Sequence, residues 1–332
     1  MKGFLIINLG SPDELTLKDT KKFLTELLSD DYVIDLPKFL QKILVKGLIV
    51  PLRSKKTLKA YETIWTKKGS PLRRDTVVLA QQLEDFLKSP VRAAMRYRHP
   101  SLTNAIQELI DLKCREIKVL PLYPQYSSST SLSSIQATKE TIEKIDSSIK
   151  LEFINCFYDT PDYIDILSKH ITKYLPSNFD HLLFSYHGLP KRQIIKSDPS
   201  GSHCLRESNC CEKTSNVQKF CYKYQAIQTS KLCAQKLKLK PHQWSIAFQS
   251  NIGPGWLKPS TKDKLKSLPH NGKKNIAVVC PSFYIDNLET LEEISIRGKE
   301  VFKNSGGDDF SYIPCLNYSK ESVRFLSSIL LS

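Results

Sequence analysis

Short apolar runs alternate with longer amphipathic stretches along this chain. Phe4 to Asn8 is apolar and stops at Gly10-Ser11-Pro12, a turn. Further apolar runs of strand length stand at Ile117–Leu122, Leu151–Phe157, Leu182–Tyr186, Trp244–Phe248 and Ile276–Cys280. Between them lie stretches of helical period, of which Leu102 to Leu112 is the clearest. Continuous apolar strands separated by helices predict βαβ units, and so parallel sheets with helices on both faces. The chain has 332 residues, more than one hydrophobic core usually organises, which predicts two such sheets in tandem. No internal repeat is visible in the letters.

In an open parallel sheet ligands bind beyond the carboxyl ends of the strands. The loops there carry the unusual residues: Tyr123-Pro124-Gln125-Tyr126-Ser127, His187-Gly188-Leu189-Pro190 and Ser282-Phe283-Tyr284-Ile285-Asp286. His187 follows the run LLFSY and precedes a glycine that permits a tight turn. A loop histidine satisfied by the backbone reads equally well from that residue alone. Asp286 and Glu289 have capping-box spacing at the start of a helix. Glu289 and Glu293, four apart, share one face of that helix and could pass protons outwards. No GxGxxG and no P-loop are present, which argues against a nucleotide enzyme.

Composition changes the picture in two places. Lys plus Arg number 49 against 34 Asp plus Glu, a net charge of +15 that favours an anionic partner. The lysines are spread along the chain without any nucleic-acid-binding pattern, so nucleic acid is not expected. Hydrophobic residues at 40% and charged ones at 25% describe an ordinary globular protein. The first apolar run is too short for a signal peptide, and none approaches the roughly 18 residues of a membrane span. The second change is the cysteines: nine, an odd number, with Cys204, Cys210, Cys211 and Cys221 crowded into one polar segment. Their C-x5-C-C-x9-C spacing matches neither zinc-ribbon nor zinc-finger patterns, and a disulfide framework is not expected.

A series of motifs then fixes a resemblance. N-L-G-S-P stands at 8–12, P-L-R at 51–53, A-Y-E-T-I-W at 60–65, G-S-P-L at 69–72 and M-R-Y-R-H-P-S at 95–101. L-P-L-Y-P-Q-Y-S follows at 120–127, S-Y-H-G-L-P at 185–190, F-Q-S-N-I-G-P at 248–254 and F-Y-I-D-N-L-E-T-L at 283–291. Together and in this order they resemble ferrochelatase over nearly the whole chain. The resemblance implies insertion of Fe²⁺ into protoporphyrin IX, giving protohaem and two protons. It also implies two Rossmann-like, chelatase-like α/β domains enclosing a porphyrin cleft. Residues 1–160 would form the first and 161–316 the second, with a Cys-rich insertion at about 197–225. Residues 317–332 would be a helix packing back on the first domain.

Carried over motif by motif, His187 and Glu289 face opposite sides of the porphyrin and handle Fe²⁺ and protons. Asp286 and Glu293 extend a proton or metal path. Arg53, Tyr61, Ser70, Arg96, Tyr97, Tyr123, Trp256 and Phe283 bind the porphyrin, the cations and donors meeting propionates and the aromatics meeting the ring. Leu36 to Lys56, bulky and with six basic residues, reads either as a buried helix with a solvated face or as a cleft lip resting on an anionic membrane. A cytoplasmic protein, peripheral on the inner membrane, is the implied location. The insertion resembles that of microbial members that hold a 2Fe–2S cluster, here at Cys204, Cys210, Cys211 and Cys221. Structural Zn²⁺ and free thiols are the alternatives. Ser128 stands where the animal-type enzyme has a cluster cysteine, so an animal-type cluster is excluded. Asn287 replaces a histidine common beside the metal-side Asp, and Arg297 stands where some relatives extend the acidic row.

Overall fold

The computed structural model describes residues 1–207 and 209–332; Ser208, inside the expected insertion, lies outside the described residues. The chain divides into two compact units. The first comprises Met1–Tyr123, Ser128–Cys156 and Asn317–Ser332, the second Pro124–Ser127 and Phe157–Leu316.

The first unit is built on a parallel sheet of β1 (Lys2–Asn8), β2 (Val91–Met95), β3 (Glu116–Pro121) and β4 (Lys150–Phe153). Its order is β2-β1-β3-β4. The second unit repeats that plan with β5 (His181–His187), β6 (Trp244–Gln249), β7 (Asn275–Val279) and β8 (Asp309–Ile313), in the order β6-β5-β7-β8. Both α/β sheets are wholly parallel, as the continuous apolar runs predict. The kinship between the halves is one of topology and is invisible in the letters.

Central strands are buried on both faces, which is why they read as unbroken apolar runs. Leu5 to Ile7 and Leu182 to Phe184 are fully buried, each such side chain contributing about 1.5–3 kcal/mol over an exposed one. One core cluster packs Leu102, Ile106 and Leu109 of the helix Leu102–Asp111 against Leu5, Ile7, Ile117 and Val119. Its counterpart gathers Leu183, Val278, Ile294 and Phe302. The helix Lys320–Leu331, capped by Ser319, packs against the helix Pro71–Leu87 within the first unit.

Two strands were not legible in the pattern. β2 carries Arg92 among alanines, and β8 is an edge strand with only two buried positions. The run expected at Leu151–Phe157 ends as a strand at Phe153. Leu36 to Lys56 also departs from the simpler expectation of a buried helix. It is a continuous helical segment, α over Lys38–Lys42, π over Ile43–Ile49 and α again over Val50–Glu62. Phe39, Leu40, Ile43, Leu48 and Leu52 are all more than half exposed on it. Among the described residues no helix is long and apolar enough to cross a membrane.

The shared strand order positions the chemistry. The chain leaves the first strand of each sheet towards one edge and then crosses back to build the other side. The connections leaving the first and third strands therefore diverge, and a crevice opens at their carboxyl ends. In the second unit those ends are His187 and the loop that leads to Glu289.

Candidate active site

His187 is the last residue of β5, in register with Gln249 of β6. Its main chain is held at both polar atoms. The N–H donates to Ser282 Oγ at 3.0 Å, and the carbonyl accepts the Tyr222 hydroxyl at 2.9 Å. Gly188 follows because nothing larger fits: a Cβ there would stand 2.6 Å from the Gln249 carbonyl oxygen. The half-buried imidazole has no hydrogen-bond partner among the described residues, and its edge meets Phe283 at a centroid distance of 6.1 Å. The backbone-satisfied histidine is therefore not what is seen; the main chain is pinned and the ring is left available.

The acidic row begins past β7. The capping box lies one residue later than its spacing suggests. Thr290 N–H donates to Asn287 Oδ1 at 3.1 Å, and Asn287 N–H donates to Thr290 Oγ1 at 3.0 Å. This frees Glu289 from capping. The helix that follows, Glu289–Gly298, is a π-helix, a rare form that is frequent at functional sites. Its wider turn pairs Glu292 with Arg297, five residues on, at 2.6 Å. Glu293 accepts Ser250 N–H at 2.7 Å and Ser250 Oγ at 2.6 Å. Asp286 is buried and accepts hydrogen bonds from the Tyr312 hydroxyl and from Thr290 Oγ1, the latter at 2.9 Å.

Electrostatics links the two ends of the crevice. Burial pushes the Glu289 carboxyl above the ordinary carboxylate range, while His187 pulls it back. Phe283 and Trp256 flank the same place; Trp256 packs against Gly188 and bridges to Pro190. Six of the expected residues, His187, Glu289, Asp286, Glu293, Trp256 and Phe283, thus fall in the second unit around the ends of β5 and β7.

The other six fall in the first unit. Arg96, just past β2, donates to Ser133 Oγ at 2.7 Å and to Asp30 Oδ2 at 2.6 Å, and its guanidinium lies over the Tyr97 ring. Tyr97 donates to the same Asp30 oxygen at 2.7 Å, and Ser133 donates to it at 2.6 Å. Burial, with Asp30 beside it, raises the Tyr97 phenol well above its ordinary value. Tyr123, at the end of β3, is likewise buried and raised. Arg53 is exposed and without an ion-pair partner among the described residues. Tyr61 is buried edge-on against Phe23 and Trp65, and Ser70 is the buried residue before Pro71 at the start of its helix. Asp30 and Tyr222 were not anticipated, and Ser282, Gln249 and Ser250, though inside the singled-out loop and motif, were assigned no role. Each acts by holding another residue, and no local pattern marks such a role.

The four crowded cysteines come together. Cys204, Cys210, Cys211 and Cys221 line one small pocket with His203, Gln218 and Tyr224. All four are free thiols, and the Cys210 and Cys211 sulfurs are 4.0 Å apart. Burial raises the Cys204 thiol, and the hydrogen bond with Cys221 raises that of Cys211. Among the described residues no three or more His, Cys, Asp or Glu side chains are arranged to hold a metal ion. The thiols share a pocket without converging on one point.

Comparison with known proteins identifies the relatives of this arrangement. The family described as Ferrochelatase matches residues 1–332. A ferrochelatase of Legionella pneumophila (strain Lens) is 42% identical, the alignment covering 99% of this chain and 98% of the relative. One of Stutzerimonas stutzeri (strain A1501) is 39% identical, covering 98% and 96%. Among solved structures, SirB from Bacillus subtilis with Fe³⁺ superposes with a TM-score of 0.58 at 8% identity, covering 98% of this chain and 93% of that one. The sirohydrochlorin chelatase SirB from Bacillus subtilis subspecies spizizenii in complex with cobalt gives 0.54, also at 8%, with 97% and 91% covered. These two show a shared chelatase fold.

Proposed function

The chain belongs to the ferrochelatase family and inserts Fe²⁺ into protoporphyrin in haem synthesis, and on that premise we propose that His187 and Glu289 exchange protons and metal with the porphyrin. The observation that carries the assignment is one of placement: a half-buried imidazole without a hydrogen-bond partner among the described residues ends β5, and a buried carboxyl whose pKa burial raises and His187 lowers follows β7. A free-base porphyrin must lose two inner N–H protons as the divalent ion enters. A neutral imidazole is a suitable base for them, and a buried carboxyl raised above the ordinary carboxylate range can take up and release protons beside it. Glu293 and Asp286 continue the acidic row behind Glu289. Trp256 and Phe283 pack the macrocycle, and binding that holds it distorted lowers the cost of metal entry. Arg53, Tyr61, Ser70, Arg96, Tyr97 and Tyr123 serve the porphyrin periphery, where exposed Arg53 suits a propionate through its planar fork. The test is an anaerobic insertion assay with protoporphyrin IX and Fe²⁺, read by loss of the free-base spectrum, comparing the wild-type chain with His187→Ala and Glu289→Gln.

The thiol pocket supports a second assignment, a 2Fe–2S cluster held by Cys204, Cys210, Cys211 and Cys221. The donor chemistry fits: four free thiols, the usual ligand number, line one pocket. Because the Cys204 and Cys211 thiols are raised, loading must release protons. When bound, the cluster supplies a redox-active cross-link between two turns of the insertion. Anaerobically purified protein should be coloured, absorbing beyond ~400 nm with about two irons per chain, and Cys211→Ser should lose both. A colourless, zinc-containing wild-type protein would replace this assignment with structural zinc.

The exposed apolar residues Phe39, Leu40, Ile43, Leu48 and Leu52 share their segment with exposed Lys42, Lys46, Arg53, Lys55 and Lys56. That combination suits the headgroup region of an anionic bilayer, where apolar side chains insert and cations meet phosphates. A cytoplasmic protein resting on the inner membrane follows. Co-sedimentation with vesicles containing phosphatidylglycerol should exceed that with neutral phosphatidylcholine. Leu52→Glu together with Phe39→Glu should reduce it several-fold, and equal sedimentation of variant and wild type would remove this segment from membrane binding.

A further inference from the structure

A buried tyrosine stands between the thiol pocket and the main chain of His187. Cys221 lines the pocket, and the next residue, Tyr222, is the first of the helix Tyr222–Lys236. Its ring is 6% exposed, and its hydroxyl donates to the His187 carbonyl at 2.9 Å. Burial raises the Tyr222 phenol, and Ser282, which lowers it, accepts the His187 N–H on its Oγ at 3.0 Å. Tyr222 and Ser282 thus hold the His187 main chain at its carbonyl and its N–H. Packing alone would be served by phenylalanine; the hydroxyl is placed for the histidine.

We propose that Tyr222 is a positioning residue for His187 and transmits to it the state of the four-thiol pocket. The inference rests on the role assigned above to His187. Its mechanical basis is short and stiff. One planar peptide bond joins Cys221 to Tyr222, and the Gln225 N–H donates to the Cys221 carbonyl at 3.0 Å, which ties both residues to the first turn of the helix. The turn Asn216–Phe220 just before is tied to the helix by Gln225, whose amide donates to the Lys219 carbonyl at 2.9 Å and the Gln218 carbonyl at 3.3 Å. Gln225 Oε1 accepts the Tyr126 N–H at 2.7 Å, which fixes this piece to the rest of the second unit. Cys221 lines the pocket together with Cys204, Cys210 and Cys211, so a change in what the thiols hold reaches Cys221 and, through it, the Tyr222 hydroxyl. Reacting groups misplaced by about 1 Å can lose roughly 10²-fold in rate, so even a partial shift is consequential.

The experiment uses the full-length chain as purified, with Tyr222→Phe, Cys204→Ser and the double variant. Two quantities are read: steady-state insertion of Fe²⁺ into protoporphyrin IX, and backbone hydrogen exchange of the peptide spanning residues 183–190, which reports local opening. For Tyr222→Phe we expect kcat to fall about tenfold, KM for porphyrin to stay unchanged, and exchange across 183–190 to quicken. Cys204→Ser is expected to quicken the same exchange in the wild-type background and to add nothing in Tyr222→Phe. If Cys204→Ser does not fold, Cys210→Ser alters the same pocket. Wild-type kcat and exchange in Tyr222→Phe would overturn the positioning role. An equal effect of the cysteine change in both backgrounds would overturn the transmission through Tyr222. Should His187→Ala keep full insertion activity, the role of His187 falls instead, while the exchange data still report whether Tyr222 joins the pocket to β5.

Discussion

His187→Ala should lose metal insertion by roughly 10²–10⁴-fold, the usual worth of a positioned acid–base group, while binding protoporphyrin as tightly as the wild type. The fold gives reason to expect a clean result. The main-chain bonds from His187 to Ser282 and Tyr222, and from Gly188 to Gln249, do not involve the imidazole. Alanine keeps them all. The ring is half-buried and loses mainly its edge contact with Phe283. Fluorescence quenching of the porphyrin would report binding, and the free-base spectrum would report turnover. Turnover near the wild-type level would remove the imidazole from the reaction and leave the proton transfers to carboxylates.

Glu289→Gln should lower insertion by roughly 10²-fold or more and, at neutral pH, make the protein more stable. The second outcome follows from linkage. Burial raises the folded-state pKa of Glu289 above its ordinary value of 4.5, so the folded chain holds this proton more tightly than the unfolded chain does. The favourable contribution of the protonated group is complete below about pH 4.5 and declines as pH rises towards the folded pKa. Above that value the ionised, buried carboxylate carries its full cost. Glutamine is never ionised and escapes the cost. Thermal melts across pH should show the variant melting higher at pH 7.5, with the gap closing as the pH falls to about 4.5. A variant that melts lower at neutral pH would show that Glu289 is held by compensating donors and serves the fold. The acid limb of the wild-type kcat profile should also lie above the ordinary glutamate range and vanish in the variant.

Burial on both faces made the central strands legible. Leu5 to Ile7 and Leu182 to Phe184 are apolar without interruption because water is excluded from each side. β8 lacks that signal, since an edge strand shows one face to solvent. The groups expected to do chemistry were found through motifs. What the motifs do not show is the support beneath them. Asp30, far in sequence from Arg96 and Ser133, meets both only after the chain has folded. Ser250 reaches Glu293 in the same manner, across the crossover from β6 to β7. The capping box illustrates a different limit. Asp286 and Glu289 have the right spacing, but Asn287 and Thr290 have it too, and the choice was made by Tyr312, which engages Asp286 from β8.

The insertion that carries the thiol pocket lies in the connection from β5 to β6. In polymer terms a connection of this kind is inexpensive to lengthen, because the entropy of closing a loop grows only with the logarithm of its length, about 0.6 kcal/mol for each doubling. The sheet order is indifferent to how much chain is spent between two parallel neighbours. A pocket of four cysteines can therefore be gained or discarded without renegotiating the core, provided the chain re-enters the fold at the same point. In this protein that point is Cys221–Tyr222, so the dispensable part of the connection ends on the residue that grips the strand beside it.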